Sequence, residues 1–271
     1  MKLLLDNFND LNHADDAVIY GITPFSYGLV NTSIDKLKAH QGEVFLYFNA
    51  LVAGDDLEQL NSTLALLDNT KIKVIFEDYA VLNLCKKHHY NIDLYLGQTA
   101  AVTSSALINN SDPLIKGALI TANLPIEELT NIIKNANKEL IVYGYGYLNL
   151  FYSKRLVLSN YLKTVNLKRN KEANYQINNN EINYPLFEAE SVSMILSDKI
   201  YHIVNELSKL DASKIKYLYL AGFNIPQDIK EEDLKQIRQK LKDPSFNITL
   251  SDNYSTYQLY NPNHYKVKHH E

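Results

Sequence analysis

The stretch from Val142 to Lys163, VYGYGYLNLFYSKRLVLSNYLK, holds the side chains best suited to chemistry in this sequence. It begins like a buried strand, passes two glycines, and presents Ser153, Lys154 and Arg155 after a series of aromatic residues. A guanidinium beside tyrosines suits a carboxylate or a phosphate. A serine beside a lysine is a weaker candidate for a nucleophile, because such a pair requires a desolvated lysine. The stretch therefore predicts an anion-binding rim more strongly than a nucleophilic site.

The same region carries a local run of positive charge. Between Ser153 and Lys171 there are six basic residues and no acidic one, namely Lys154, Arg155, Lys163, Lys168, Arg169 and Lys171. Tyr152 and Tyr161 are interleaved with them and could stack on bases. In a chain with a net charge of −4, this run predicts a patch that binds nucleic-acid phosphates through Lys154, Lys163, Lys168, Arg169 and Lys171. A solvated basic loop is the alternative.

Short apolar runs alternate with stretches of helical spacing along most of the chain. The predicted strands are Lys2–Leu5, Ala17–Tyr20, Glu43–Phe48, Ile72–Phe76, Asp93–Leu96, Gly117–Ile120, Glu139–Tyr143 and Lys216–Leu220. Strands that are apolar on both faces and alternate with helices indicate parallel βαβ units. About eight such units in roughly 250 residues predict an α/β fold of the (β/α)8 TIM-barrel type. An open doubly wound sheet is the alternative, but no glycine-rich dinucleotide turn follows Leu5 or Tyr20.

The helical stripes and the irregular regions complete the predicted architecture. Apolar residues at helical spacing predict helices over 57–67, 126–136 and 200–210, the last with Ser197 as its N-cap. The polar segment 160–184 predicts an insertion before the last barrel strand, and the alternating segment 246–260 predicts a small C-terminal β-hairpin. We expect residues 1–271 to form a single barrel-like domain.

In a barrel of this type, functional residues lie at the carboxyl ends of the strands. Asn49, Asp78 and Gln98 follow three predicted strands and, with Ser153 and Arg155, form the predicted ligand-binding rim. Each has a structural alternative: Asp78 could cap a helix, and Asn49 and Gln98 could bind loop backbone. Arg155 could form a salt bridge with a barrel acid. The catalytic residues, if the chain is an enzyme, stay unassigned.

Composition limits the other classes of function. The pI of about 6.1 does not demand a polyanionic partner, and Cys85 is the single cysteine, so this chain cannot supply a disulfide framework or a cysteine-ligated cluster. No zinc-binding spacing is present, which predicts no metal site. The sequence shows no signal peptide and no apolar run long enough for a membrane span. We therefore expect a cytoplasmic protein that does not bind membranes.

The order of several motifs resembles the peptidase U32 family, also called collagenase-like peptidases. The stretches that carry this resemblance are YFNALVAGDDLEQL, VIFEDYAVLNL, GQTAAVTSSALI, GALITANLPIEELTNI, VYGYGYLNLFYSKRLVLSNYL, YPLFEAESVSMILSDKIYHI and YLYLAGFNIP. Together they span most of the chain, from Met1 to about Leu241. The most specific is the stretch first described, whose family pattern corresponds here to Gly144 or Gly146, followed by Tyr152, Ser153, Arg155 and Ser159.

The resemblance implies a barrel-like fold and one of several activities. Some family members are described as collagen-degrading peptidases, and others are iron–sulfur proteins that hydroxylate RNA or ubiquinone precursors, in several cases with prephenate. Some act as pairs of paralogous subunits. The family's cluster cysteines correspond here to Asn149, Leu156 and Tyr201, so the resemblance implies a member without an iron–sulfur cofactor. A late Glu-Gly-Arg motif corresponds to 221–223, which reads Ala-Gly-Phe in this chain.

Three hypotheses follow for the function. The first is a subunit without an iron–sulfur cluster that supports 5-hydroxylation of tRNA uridine with a longer, cysteine-bearing paralogue. The second is a collagenase-like peptidase, a hydrolase. The third is a non-catalytic protein that binds a small anionic metabolite such as prephenate, with Arg155 as its carboxylate clamp.

Overall fold

The computed structural model describes residues 1–9, 16–97, 102–170, 173–189 and 192–261. Gln98 and Lys171, two of the predicted site residues, lie outside these ranges. Within the described residues, no helix has an apolar stretch of the length that crossing a bilayer requires.

The strands of the described chain form one sheet, most of which closes into a barrel. The strands are β1 (Lys2–Asp6), β2 (Ala17–Tyr20), β3 (Glu43–Phe48), β4 (Lys73–Phe76), β5 (Leu94–Leu96), β6 (Ile115–Ile120), β7 (Glu139–Ser153), β8 (Tyr175–Asn179), β9 (Ile182–Glu188), β10 (Ser193–His202), β11 (Ile215–Ala221) and β12 (Tyr254–Ser255). Strands β1 to β7 pair in parallel in chain order, and β11 pairs in parallel with both β7 and β1. The predicted (β/α)8 barrel and its eight strands are confirmed.

Helices on the outside of the barrel cover the outward faces of the strands. They are α1 (Ile34–Lys38), α2 (Leu57–Leu67), α3 (Ala80–His88), α4 (Ser105–Asn109), α5 (Ile126–Asn135) and α7 (Gln227–Lys242), whereas α6 (Val157–Thr164) belongs to the segment that follows β7. The stripes predicted over 57–67 and 126–136 correspond to α2 and α5, which bury leucine and isoleucine side chains in the core. Because both faces of each barrel strand are covered, these strands read as continuous apolar runs.

The third predicted helix, over 200–210, is wrong. Ile200 and Tyr201 belong to β10, where they pair with Tyr147 and Gly146 of β7, and a 3-10 helix follows at Val204–Lys209. Ser197 does not cap a helix: its hydroxyl accepts a hydrogen bond from the Leu148 amide at 2.9 Å. The long edge of β7 offers backbone partners that the spacing of the apolar residues alone does not reveal.

The predicted insertion is present, but the predicted C-terminal hairpin over 246–260 is wrong. Between β7 and β11 the chain forms α6, the antiparallel hairpin β8–β9, and β10, so the hairpin belongs to the insertion. The segment 246–260 forms no hairpin. Instead, β12 pairs in parallel with β10, with Tyr254 beside Ile200, and a 3-10 helix follows at Tyr257–Tyr260. The edge of β10 satisfies the backbone that a hairpin partner would otherwise bind.

Strand β7 continues beyond the barrel and crosses its mouth. The strand leaves the barrel at Gly146, whose φ is 128°. A Cβ at this position would lie 2.5 Å from the Ala221 carbonyl oxygen, so the position requires glycine. The extension pairs antiparallel with β10 through Ser153. It then reaches the opposite loops, where Tyr152 stacks on Tyr27 with ring centroids 4.5 Å apart. The end of β7 and β10 therefore form a roof over the carboxyl ends of the barrel strands.

Candidate functional site at the barrel mouth

A cavity of about 120 Å³ lies between the carboxyl ends of the barrel strands and this roof. Its barrel side is lined by Asp6, which ends β1, by Glu77, which directly follows β4, and by Tyr47, Tyr143 and Tyr219, which lie within β3, β7 and β11. Its roof side is lined by Tyr147 and Asn149 of β7 and by Met194 and Leu196 of β10. The cavity is thus aromatic and acidic, and its described lining contains no lysine, arginine or histidine.

Asp6 is the most deeply enclosed acid of the cavity. It ends β1 and is 1% exposed. Its carboxylate accepts hydrogen bonds from the Tyr219 hydroxyl and, at 2.9 Å, from the Gly222 amide. Burial raises the pKa of Asp6 to about 6, against the opposing effect of these bonds, of Asn7 and of the charge of Lys230. Asp6 is therefore a carboxyl group that gains and loses its proton near pH 6.

The second acid, Glu77, lies at the end of β4 and is held by its neighbours. It accepts a hydrogen bond from the hydroxyl of Tyr47. A Cβ at Gly97 would lie 2.6 Å from its carboxyl carbon and 2.9 Å from the Phe76 carbonyl oxygen, so a glycine lets the chain after β5 pass this close. The Tyr143 hydroxyl, on the barrel side, donates to the carbonyl oxygen of Tyr147 in the roof at 2.8 Å. The hydroxyls of Tyr47, Tyr143 and Tyr219 and both acids thus have hydrogen-bond partners at the cavity.

Asn49 lines the cavity and also holds the loop that follows β2. Its Oδ1 accepts from the Tyr27 amide at 2.9 Å, and its Nδ2 donates to the Tyr27 carbonyl oxygen at 3.1 Å. The Tyr27 hydroxyl in turn lies 3.4 Å from Nδ2 of Asn149 in the roof. Burial raises the pKa of Tyr27 above its ordinary value, so its hydroxyl stays protonated. Asn49 thus takes the backbone-binding alternative and still faces the cavity.

Asp78 takes the structural alternative. Its Oδ1 accepts from the Ala80 amide, at the first residue of α3, and its Oδ2 accepts from the Val52 amide, both at 2.9 Å. Asp78 therefore joins the start of α3 to the loop after β3. It is not among the residues that line the cavity. A ligand-binding role for Asp78 stays a prediction without support from this geometry.

Ser153 ends β7, Lys154 and Arg155 follow it, and none of the three lines the cavity. The Ser153 hydroxyl accepts from the Arg155 amide at 3.0 Å, while the Lys154 amine lies 3.3 Å from a carboxylate oxygen of Asp56. The arrangement gives no hydrogen bond between the serine and the lysine, as a nucleophilic pair would require. The Arg155 side chain is exposed to solvent. The anion-binding role of Ser153 and Arg155 stays a prediction, placed on the outer surface.

The predicted nucleic-acid patch is divided by the structure. Arg169 forms a salt bridge with Glu188, with 3.1 Å between its guanidinium and the carboxylate, and Lys154 forms one with Asp56. Lys163 and Lys168 are exposed on α6 and the loop that follows it. Their binding of nucleic acid stays a prediction, and among the described residues of the patch they are the best presented for it.

The positions that correspond to cluster cysteines lie in three settings. Asn149 lines the cavity, Leu156 directly precedes α6, and Tyr201 is buried, with ring contacts to Tyr143 and Tyr257. Cys85 is buried in α3, and burial raises the pKa of its thiol to about 12. Among the residues that the structure describes, no group of three or more histidine, cysteine, aspartate or glutamate side chains is arranged to hold a metal ion.

Sequence reasoning missed Asp6 and Tyr219. Asp6 directly follows the predicted strand Lys2–Leu5, so the rule that functional groups lie at the carboxyl ends of strands could have found it. Tyr219 lies inside a strand, and only the closure of the barrel brings its hydroxyl to Asp6.

The fold and the site define a (β/α)8-barrel protein whose strand ends are enclosed by an insertion. The family model for peptidase family U32 matches residues 21–250, and the chain belongs to this family. A curated relative, the tRNA hydroxylation protein P2 of Bacillus subtilis (strain 168), is 25% identical over 197 residues. The match covers 69% of this chain and 63% of the relative. No solved structure matches the chain significantly.

Proposed function

We propose that this chain is a subunit that supports 5-hydroxylation of tRNA uridine together with a longer, cysteine-bearing paralogue. The observation that carries the proposal is the match to a tRNA hydroxylation protein over 197 residues. The cavity at the barrel mouth gives the proposed function a site, because barrels of this type bind and react at the carboxyl ends of their strands. A tRNA substrate would place the protein in the cytoplasm.

The cysteine content supports a division of work between two chains. Cys85 is the single cysteine, it is buried, and its thiol pKa is raised, so it is poorly suited to ligate iron. An iron–sulfur cluster is held by several thiolates. If hydroxylation requires such a cluster, the paralogue would supply it, and the present chain would supply binding and positioning.

The lining of the cavity indicates which small groups it would bind. Carboxyl and hydroxyl groups of Asp6, Glu77 and Tyr219 favour a ligand that presents hydrogen-bond donors, and the described lining has no cation to offset a ligand's negative charge. An anion such as prephenate would instead be expected on the exposed side, beside Arg155. RNA phosphates would bind Lys163 and Lys168, which are exposed.

The test is mass spectrometry of tRNA nucleosides from cells with the gene, without it, and with it restored. Loss of 5-hydroxyuridine derivatives in the deletion and their return on complementation would support the proposal. An unchanged nucleoside profile would contradict it.

The partner is tested separately by native purification of an affinity-tagged chain from the same cells. We expect a cysteine-bearing paralogue to copurify in stoichiometric amount. Its repeated absence, with the nucleoside effect intact, would remove the partner from the proposal and leave the role in tRNA modification.

A further inference from the structure

The insertion carries a sheet face that is apolar and turned away from the barrel. In β8 and β9, Tyr175 pairs with Leu186 and Ile177 pairs with Tyr184, and directly opposed residues share one face of a sheet. The register continues across β10 and β7, because Leu186 pairs with Ile195 and Ile195 with Phe151. Side chains alternate between faces along each strand. We define the outer face as Phe151, Ile177, Ile182, Tyr184, Leu186 and Ile195.

Part of the opposite face of the same sheet packs against the barrel. Met194 and Phe187, which alternate with the outer-face residues, pack in an apolar cluster with Phe223 of the barrel side and Tyr27. The opposite face is therefore buried near Phe187 and Met194, whereas its hairpin residues Gln176, Asn178 and Asn183 are polar and exposed.

Much of the outer face is open to solvent. Phe151 is 42% exposed, Ile182 is 41% exposed and Ile177 is 36% exposed, while the other three members are partly exposed. Only the base of the sheet is covered, where amides of α6 donate to Glu188 and Ser193. Contiguous apolar surface of this kind marks an interaction site.

Charges lie at opposite ends of the outer face. Glu181 is at the tip, in the turn between β8 and β9, and is exposed. Arg155, Lys163 and Lys168 are exposed at the base, around α6. A face with one negative end and one positive end is complementary to itself when it is turned around, as a two-fold axis requires.

We propose that the outer face is the interface of a homodimer, in which two copies pack face to face with their hairpins antiparallel. The tip of each hairpin then lies over the base of the other, so Glu181 meets the basic residues of the second copy. Four of the six members are isoleucine or leucine, and these aliphatic side chains fit an apolar protein surface, because they neither stack on bases nor bind phosphates. This inference does not depend on the proposed function: in the dimer Lys163 and Lys168 lie beside Glu181 of the second copy, and they would bind RNA phosphates only in the monomer.

The first test measures molar mass by light scattering during size-exclusion chromatography over a range of protein concentrations. We expect the wild-type mass to approach twice 31.0 kDa. Ile177→Lys and Ile182→Lys should each weaken dimerisation at least tenfold. Leu66→Lys is the matched control, because Leu66 is an exposed apolar residue on α2, 56% exposed and outside the outer face, and it should leave the dimer intact.

The second test reverses the charges. Glu181→Lys should weaken the dimer several-fold at low salt, and adding Lys163→Glu and Lys168→Glu to it should recover most of the loss. Circular dichroism would confirm that each variant is folded. A wild type that is monomeric at every concentration would overturn the proposal, including one whose outer face binds RNA or a different protein. A dimer that survives the hairpin substitutions would also overturn it.

Discussion

Asp6 is a carboxyl group that folding removes from water, and its protonation is coupled to stability. Its pKa rises from 3.8 to about 6 on folding because burial disfavours the charged form more than the surrounding hydrogen bonds and Lys230 favour it. The folded state therefore holds this proton more tightly than the unfolded state. The stability that Asp6 contributes is fully present below pH 4 and is lost as the pH rises through about 6, a loss of about 3 kcal/mol.

Asp6→Asn should remove this part of the pH dependence. The amide keeps an oxygen for the Gly222 amide and stays neutral at every pH. Urea unfolding of both proteins between pH 4 and 7.5 measures the difference. We expect the stability of the variant, relative to wild type, to improve by about 2–3 kcal/mol across this range. Parallel stability curves for the two proteins would show that Asp6 is not desolvated as described.

Substitution of Asn49 tests how strongly this residue holds the loop that contains Tyr27. Asn49→Ala removes two hydrogen bonds to the Tyr27 backbone and should lower the free energy of unfolding by about 1–3 kcal/mol. Asn49→Asp keeps the acceptor for the Tyr27 amide but places a carboxylate oxygen against the Tyr27 carbonyl oxygen, so it should also lower the free energy of unfolding. Urea denaturation of the three proteins makes the comparison. Equal stability of wild type and Asn49→Ala would mean that these bonds contribute nothing.

Among the elements, α6 depends on one buried acid for its position. Glu188, whose side chain is 0% exposed, accepts hydrogen bonds from the Leu158 and Ser159 amides, from the hydroxyls of Ser159 and Ser193, and from Arg169. Burial alone would raise the pKa of Glu188, but these bonds and the charge of Arg169 outweigh it and lower the pKa. Glu188 therefore joins α6 and the loop after it to β9 and β10.

Glu188→Gln should release this part of the insertion and leave the barrel intact. The variant loses a carboxylate acceptor and leaves the partly exposed Arg169 without its charge partner, a change that should cost about 1–3 kcal/mol. Hydrogen exchange should accelerate in 157–170, with β1 to β6 unchanged. Glu128→Gln, at an exposed position of α5, is the control. Unchanged exchange in 157–170 would contradict the anchoring role of Glu188.

The strands and helices also show which structures the sequence patterns predict correctly and which they do not. The eight barrel strands were predictable because each is a short apolar run covered on both faces. The stripe at 200–210 was misassigned because short apolar runs fit either a strand or a helix, and pairing with β7 decided the outcome. The hairpin β8–β9 was overlooked because its alternating apolar residues are set among asparagines.

At the scale of the whole molecule, the site depends on contacts between distant parts of the chain. Tyr219 and Asp6 meet because β11 closes the barrel against β1, and Tyr152 meets Tyr27 because β7 crosses the mouth. The sequence places Asn49 at a strand end, but the roof over the cavity follows from the path of β7 beyond Gly146. Sequence reasoning thus located the end of the barrel that carries the site and missed most of its lining.

The central claim is that the chain supports tRNA hydroxylation through its barrel mouth. Nucleoside mass spectrometry of a deletion strain that carries wild type, Glu77→Gln or Leu66→Lys tests it, with immunoblots to match protein levels. Glu77 lines the cavity, whereas Leu66 is an exposed residue on α2. We predict that wild type and Leu66→Lys restore 5-hydroxyuridine derivatives and that Glu77→Gln leaves them at least tenfold lower. A deletion without effect, or full restoration by Glu77→Gln, would contradict the claim.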